Sequence, residues 1–82
     1  MNELSFKEWL EINTQYSKRV ISNTSSRLGR ADRILPLYEK ELYLFELEHN
    51  DKFKMLSVTV RSQIKKAVKL YFDYLKDKGE TL

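Results

Sequence analysis

Arg61, Lys65, Lys69 and Lys76 recur at spacings of four, four and seven, so on a helix they stack along one side. Residues 58–72 contain Arg61, Lys65, Lys66 and Lys69 and no acid, a net charge of +4. Val60, Ile64, Ala67, Val68, Tyr71 and Leu75 recur at helical spacing on the other side. A second basic strip lies in residues 17–35, where Lys18, Arg19, Arg27, Arg30 and Arg33 outweigh Asp32, again a net +4. Guanidinium and ammonium groups neutralise phosphates and release condensed counterions, which drives binding without any reading of bases. Short hydroxyl and amide side chains interleaved with them, Ser22, Asn23, Ser26, Ser62 and Gln63, can add hydrogen bonds to phosphate or base edges. Basic helix faces are common and are usually only solvated, so their distribution matters more than their number. Residues 36–51 hold Lys40 against Glu39, Glu41, Glu46, Glu48 and Asp51, a net −4. This acidic segment is predicted to turn away from nucleic acid, or to meet the basic helices of a second copy.

Catalytic chemistry finds little footing. The single histidine, His49, sits in a polar, acidic stretch, and Glu46, His49 and Asp51 form a loose set with no second ligand cluster. There is no cysteine, and no Gly-rich phosphate loop or Ser–His spacing of a nucleophilic site. Glu39/Glu41 and Glu46/Glu48 lie two apart, so on a helix they diverge and read as a solvated face. No metal or cofactor is expected. Net charge over the 82 residues is +3. No apolar run is long enough to cross a bilayer, and the start of the chain lacks a basic region followed by an apolar run. A cytoplasmic protein is expected.

The elements that must position these charges are helices. A single domain of 82 residues, with 41 % hydrophobic and 33 % charged residues, can build a real core, although such a chain buries only about 60 % of its unfolded surface. One Pro and two Gly leave little turn chemistry for a many-stranded sheet. Ser5 and Glu8 predict a capping box for a first helix, with Leu4 and Trp9 as its hydrophobic staple. Trp9 falls in step with Phe6 and Leu10, which makes it a core anchor rather than a ligand platform. Ser17 predicts the cap of a second helix, with Val20, Ile21, Thr24, Leu28, Ala31 and Leu35 as its apolar stripe. Pro36 should end that helix near Ile34. A third helix is predicted from Leu37, with Tyr38, Leu42 and Phe45 in step, although the run 42–47 could also be a short buried strand. Residues 49–52 read as a turn, after which Phe53 and Met55 should tuck onto the core. Ser57 predicts the cap of the final helix, and Gly79 its end. The expected fold is all-α, a compact four-helix bundle over residues 1–82.

The stretches Phe6-Lys7-Glu8-Trp9-Leu10, Tyr16-Ser17-Lys18-Arg19-Val20-Ile21-Ser22-Asn23, Leu56-Ser57-Val58-Thr59-Val60-Arg61 and Ala67-Val68-Lys69-Leu70-Tyr71-Phe72-Asp73-Tyr74-Leu75 carry a resemblance. Together they resemble the N-terminal core-binding, SAM-like domain of tyrosine recombinases, the phage integrase group. The resemblance implies a helical bundle that grips double-stranded DNA during recombination and integration. It places DNA contacts on Lys18, Arg19, Ser22 and Asn23 of the second helix, and on Arg61, Ser62, Lys65 and Lys66 of the last. The charge pattern adds Ser26, Arg30 and Lys69. Val20 stands where that family usually has Thr, Thr24 where an aromatic is common, and residues 35–56 are atypical. The family's catalytic Arg, His and Tyr constellation is not found in these residues, so Tyr71 and Tyr74 are not its nucleophile. The resemblance therefore implies a binding module, either part of a longer enzyme or its N-terminal arm, acting alone or as a homo-oligomer on DNA. A similar module could serve another DNA enzyme such as a restriction endonuclease. From a different class, a helical protein–protein interaction or oligomerisation module fits the same pattern.

Overall fold

A computed structural model describes residues 3–38 and 42–79, with the side chain of Glu3 left aside. Among the described residues five helices follow in order: α1 (Glu3–Asn13), α2 (Lys18–Ile34), α3 (Leu42–Glu48), α4 (Asp51–Lys54) and α5 (Val58–Asp77). The fold is an all-α bundle in which four helices are supplemented by the single turn of α4. The run 42–47 is helix, not strand.

The two long helices start and stop where local chemistry dictates. The Ser17 and Ser57 hydroxyls accept from the amides of Val20 and Val60, each satisfying one of the orphan donors of a first turn. Leu35 leaves the helix with φ −144° and ψ 111°, the extended geometry forced on a residue before proline. At the far end of α5, Gly79 takes φ +72°, the left-handed conformation that ends helices at little cost only for Gly.

α2 packs along α5, and α1 lies against both. Phe6 and Leu10 of α1, Ile21, Leu28 and Ala31 of α2, and Ile64, Ala67 and Val68 of α5 are buried in one core. Phe6 meets the rings of Tyr71 and Tyr74 edge-on, each at 5.6 Å. Trp9 is half-buried against Tyr74, and its Nε1 donates to Asp77 Oδ2 at 2.7 Å, tying α1 to the end of α5. Buried Thr24 satisfies its hydroxyl on the Val20 carbonyl at 2.8 Å.

Several expectations need correction. α1 already runs from Glu3, so Ser5 lies inside the helix rather than at its cap, and Leu4 is 68 % exposed rather than stapled to Trp9. The helix starts earlier because its apolar face begins at Phe6, one turn in. Val20 is exposed at the mouth of a groove instead of lying in the core. The third helix does not start at Leu37. The Asp32 carboxylate accepts from the Leu37 amide at 2.9 Å, holding residues 36–38 in a non-helical path. The rest of its expected first turn, residues 39–41, lies outside the described residues. Its buried face is Tyr43 and Leu47, whereas Leu42 and Phe45 are exposed. Tyr43 wins the interior because its hydroxyl reaches a carbonyl there, donating to Leu35 O at 2.6 Å while the ring packs edge-on against Tyr38 and Phe72. The expected turn at 49–52 becomes α4, nucleated by Asn50 Oδ1 accepting from the amides of Lys52 and Phe53. That single turn points Phe53 inward and leaves Met55 86 % exposed.

Removing either serine cap, Ser17→Ala or Ser57→Ala, should cost about 0.5–2 kcal/mol in chemical denaturation followed by circular dichroism. The hydrogen bond to Glu46, helped by partial burial and the same carboxylate's charge, pushes the Tyr38 phenol up to about 12. Burial first, then the charge of Asp32, raises Tyr43 as well. A phenol whose pKa is raised on folding stabilises the fold fully below its unfolded value near 10, and that contribution is lost as pH rises through the folded value. The denaturation midpoint should therefore hold steady up to about pH 10 and fall above it, with a smaller alkaline fall in the Tyr38→Phe variant.

Candidate nucleic-acid interface

The outward face of α2 is polar and cationic: Lys18, Arg19, Ser22, Asn23, Ser26 and Arg30 are all exposed. At 100° per residue, their side chains lie opposite the buried line of Ile21, Thr24, Leu28 and Ala31. Arg33 is exposed on the same side. Asp32 lies toward the interior, committed to the Leu37 amide, so it does not interrupt this face.

α5 divides its cations between two flanks. Lys66, with Gln63 and Leu70, faces α2. Arg61 and Lys65, with Ser62 and Val58, border α3 and α4. Lys69 is exposed between them. The single basic face expected for this helix is thus split by its neighbours. Lys76 continues the strip but is flanked by Asp73 and Asp77, beside a shallow depression that Trp9 and Asn13 also line.

Two grooves result. Between α2 and α5 runs one of about 210 Å³, lined by Tyr16, Val20, Thr24, Arg27, Gln63, Lys66, Ala67 and Leu70. It contains no carboxylate. Arg27 projects from one helix and Lys66 from the other, above a floor of apolar atoms. Lys66 Nζ lies 5.8 Å from the centre of the Tyr16 ring, within cation–π range. The sequence pattern placed neither Arg27 nor Tyr16 in a site. On the α2 wheel, Arg27 falls between the buried and exposed stripes, and only the approach of α5 turns that flank into a groove wall.

The second groove, also about 210 Å³, lies on the opposite flank of α5 and is lined by Glu48, Phe53, Val58, Arg61, Ser62 and Lys65. Lys65 Nζ donates to Glu48 Oε1 at 2.8 Å. That hydrogen bond and the ammonium charge hold the Glu48 carboxyl below its ordinary pKa. The acidic segment therefore does not turn wholly away from the cations, since its last glutamate reaches α5 and neutralises Lys65.

His49 stacks on the Phe45 ring at 4.3 Å and its Nδ1 lies 2.8 Å from the Phe45 carbonyl, so it serves the α3 terminus. Among the described residues, no three His, Asp or Glu side chains form a group able to hold a metal. Tyr74 is buried and Tyr71 packs on Phe6. Among the described residues, no helix is long and apolar enough to cross a membrane. No protein-family model matches this chain, and no curated protein or solved structure is significantly similar to it.

Proposed function

We propose that this chain is a non-catalytic module that binds double-stranded DNA through α2 and α5. The observation that carries this reading is the acid-free groove between the two helices, with Arg27 of one and Lys66 of the other, and with the exposed Arg19 and Arg30 next to Arg27 on the α2 wheel. The 17 residues of α2 span roughly 25 Å, and over such a length DNA presents about one charge per 1.7 Å of axis. Ser22, Asn23 and Ser26 supply neutral donors among the cations, suited to phosphate oxygens or base edges. The resemblance to the core-binding domain of tyrosine recombinases supports the same helices, since Arg19 and Asn23 fall on the Arg27 side of α2 and Lys66 lines the groove, while Lys18 and Ser22 lie on the outward face of α2. In that setting the module would position an integrase-like or other DNA-processing enzyme in the cytoplasm, alone or as a homo-oligomer on its site. Arg61 and Lys65 are not needed for this contact, because they face α3 and α4.

A second reading is favoured by one observation. Leu42 and Phe45 of α3, together with Met55 and Val58, are large apolar side chains left exposed, and exposed apolar surface marks protein contacts. In this reading the chain is a helical interaction or oligomerisation module.

The two readings separate in solution. DNA binding through α2 and α5 should weaken steeply with salt, at about −0.9 in log–log slope per phosphate neutralised. The double variant Arg27→Glu, Lys66→Glu should lower affinity at least about tenfold and flatten the slope by about two, while the circular dichroism spectrum stays helical. Parental affinity in that variant would show the groove to be the wrong face. Sedimentation without DNA gives the converse: a stable dimer with no DNA affinity at low salt would favour the interaction module.

A further inference from the structure

The groove between α2 and α5 is not built like a phosphate site. Val20, Ala67 and Leu70 line it beside Arg27, Gln63 and Lys66. An ion pressed against apolar atoms loses hydration without return, whereas a flat ring gains by leaving water there. The polar groups of the groove are free. Arg27 and Gln63 are half-buried and, among the described residues, have no hydrogen-bond or ion-pair partner. An aromatic ring lines the groove where α2 begins. Tyr16 is half-buried, and its amide donates to Thr14 Oγ1 at 3.3 Å, which fixes the backbone that carries the ring. At about 210 Å³, the space falls below the roughly 300 Å³ at which drug-sized sites begin, so it suits one small ring system.

We infer that this groove receives an unpaired nucleobase swung out of a DNA strand, with guanine preferred. The inference rests on the DNA reading and deepens it, by naming the DNA that fits best: a duplex carrying an unpaired nucleotide. Every base has a π-face, and the Tyr16 ring offers a surface on which to stack it. The Arg27 guanidinium is a fork of donors that matches O6 and N7 of guanine. Gln63 both donates and accepts, so it can meet the remaining edge. The groove holds no carboxylate, which disfavours the amino donors of cytosine and adenine. Lys66 is exposed, and its Nζ now lies 5.8 Å from the centre of the Tyr16 ring. When a base takes the ring, the ammonium can swing to the flanking phosphate, exchanging a cation–π contact for an ion pair. Extrusion costs least for a base that is already unpaired, which is why an intact duplex should leave the groove empty.

The test compares two duplexes of one sequence, one fully paired and one with a single bulged guanine, bound to the whole chain and followed by fluorescence anisotropy. The bulged duplex should bind at least about fivefold tighter, the low end for a base stacked on an aromatic side chain. Tyr16→Ala should erase that advantage, and Tyr16→Phe, which keeps the ring, should retain it. Val20→Phe fills the groove from its exposed mouth without touching the core or the charges, and it should erase the advantage as well. Arg27→Lys, which keeps the charge and loses the fork, should abolish the preference for a bulged guanine over a bulged adenine. Equal binding of the paired and bulged duplexes would overturn the base slot and leave the DNA reading standing. Failure of both to bind at low salt would overturn the DNA reading and the slot with it. An advantage that survives both Tyr16→Ala and Val20→Phe would belong to the bend of the bulged duplex, and would overturn the slot too.

Discussion

The close approach of α2 and α5 sets everything else in this molecule. Small side chains make it possible: Thr24, Ser25 and Ala31 on one helix and Ala67 on the other are buried, and helix separation follows the size of the side chains at the contact. Larger groups, Ile21, Leu28, Ile64 and Val68, complete the buried stripes, and α1 closes the interior from above with Phe6 and Leu10. Once these two helices lie side by side, each has an inner line, an outer line and two flanks. The flanks carry the chemistry. Arg27 and Lys66 meet across one of them, and Arg61 and Lys65 border the other.

The short helices matter through what they bring to α5. Tyr43 is the joint. It is fully buried, packs edge-on against Phe72, and donates to the Leu35 carbonyl just beyond the end of α2. With Tyr43 anchored against Phe72 and the Leu35 carbonyl, α3 is set against the far flank of α5. Glu48 arrives within 2.8 Å of Lys65 as a result. An acidic segment and a basic helix that look opposed in the linear charge pattern are joined by a packing decision made by a tyrosine.

The well-read parts of the fold share a property: their determinants are local. Ser17 and Ser57 cap because the amides they serve are three residues away. Pro36 ends α2 through its steric effect on Leu35, and Gly79 ends α5 through its freedom at positive φ. The misreading of α3 depends on partners distant in sequence. Which stripe of α3 is buried turned on a carbonyl of Leu35 and a ring of Phe72, and neither is visible from a run in which Leu42, Tyr43, Leu44, Phe45 and Leu47 are all apolar. Ser5 followed by Glu8 has the form of a capping box, yet the pattern is short enough to occur inside a helix that begins upstream. Met55 was lost to the core by one extra turn, nucleated by Asn50.

The candidate sites divide along the same line. The amino-acid sequence by itself determined that the chain is helical, where its two long helices begin and end, and that both present cations opposite an apolar stripe, because caps, breakers and a 3.6-residue period act within a few residues. Tertiary structure alone decided how those cations are grouped. It paired Arg27 with Lys66, set Lys65 against Glu48, and left Arg61 Nε buried without an acceptor. The physical reason is that a helix fixes the angle of each side chain about its own axis, whereas the neighbour on each flank is chosen by long-range packing.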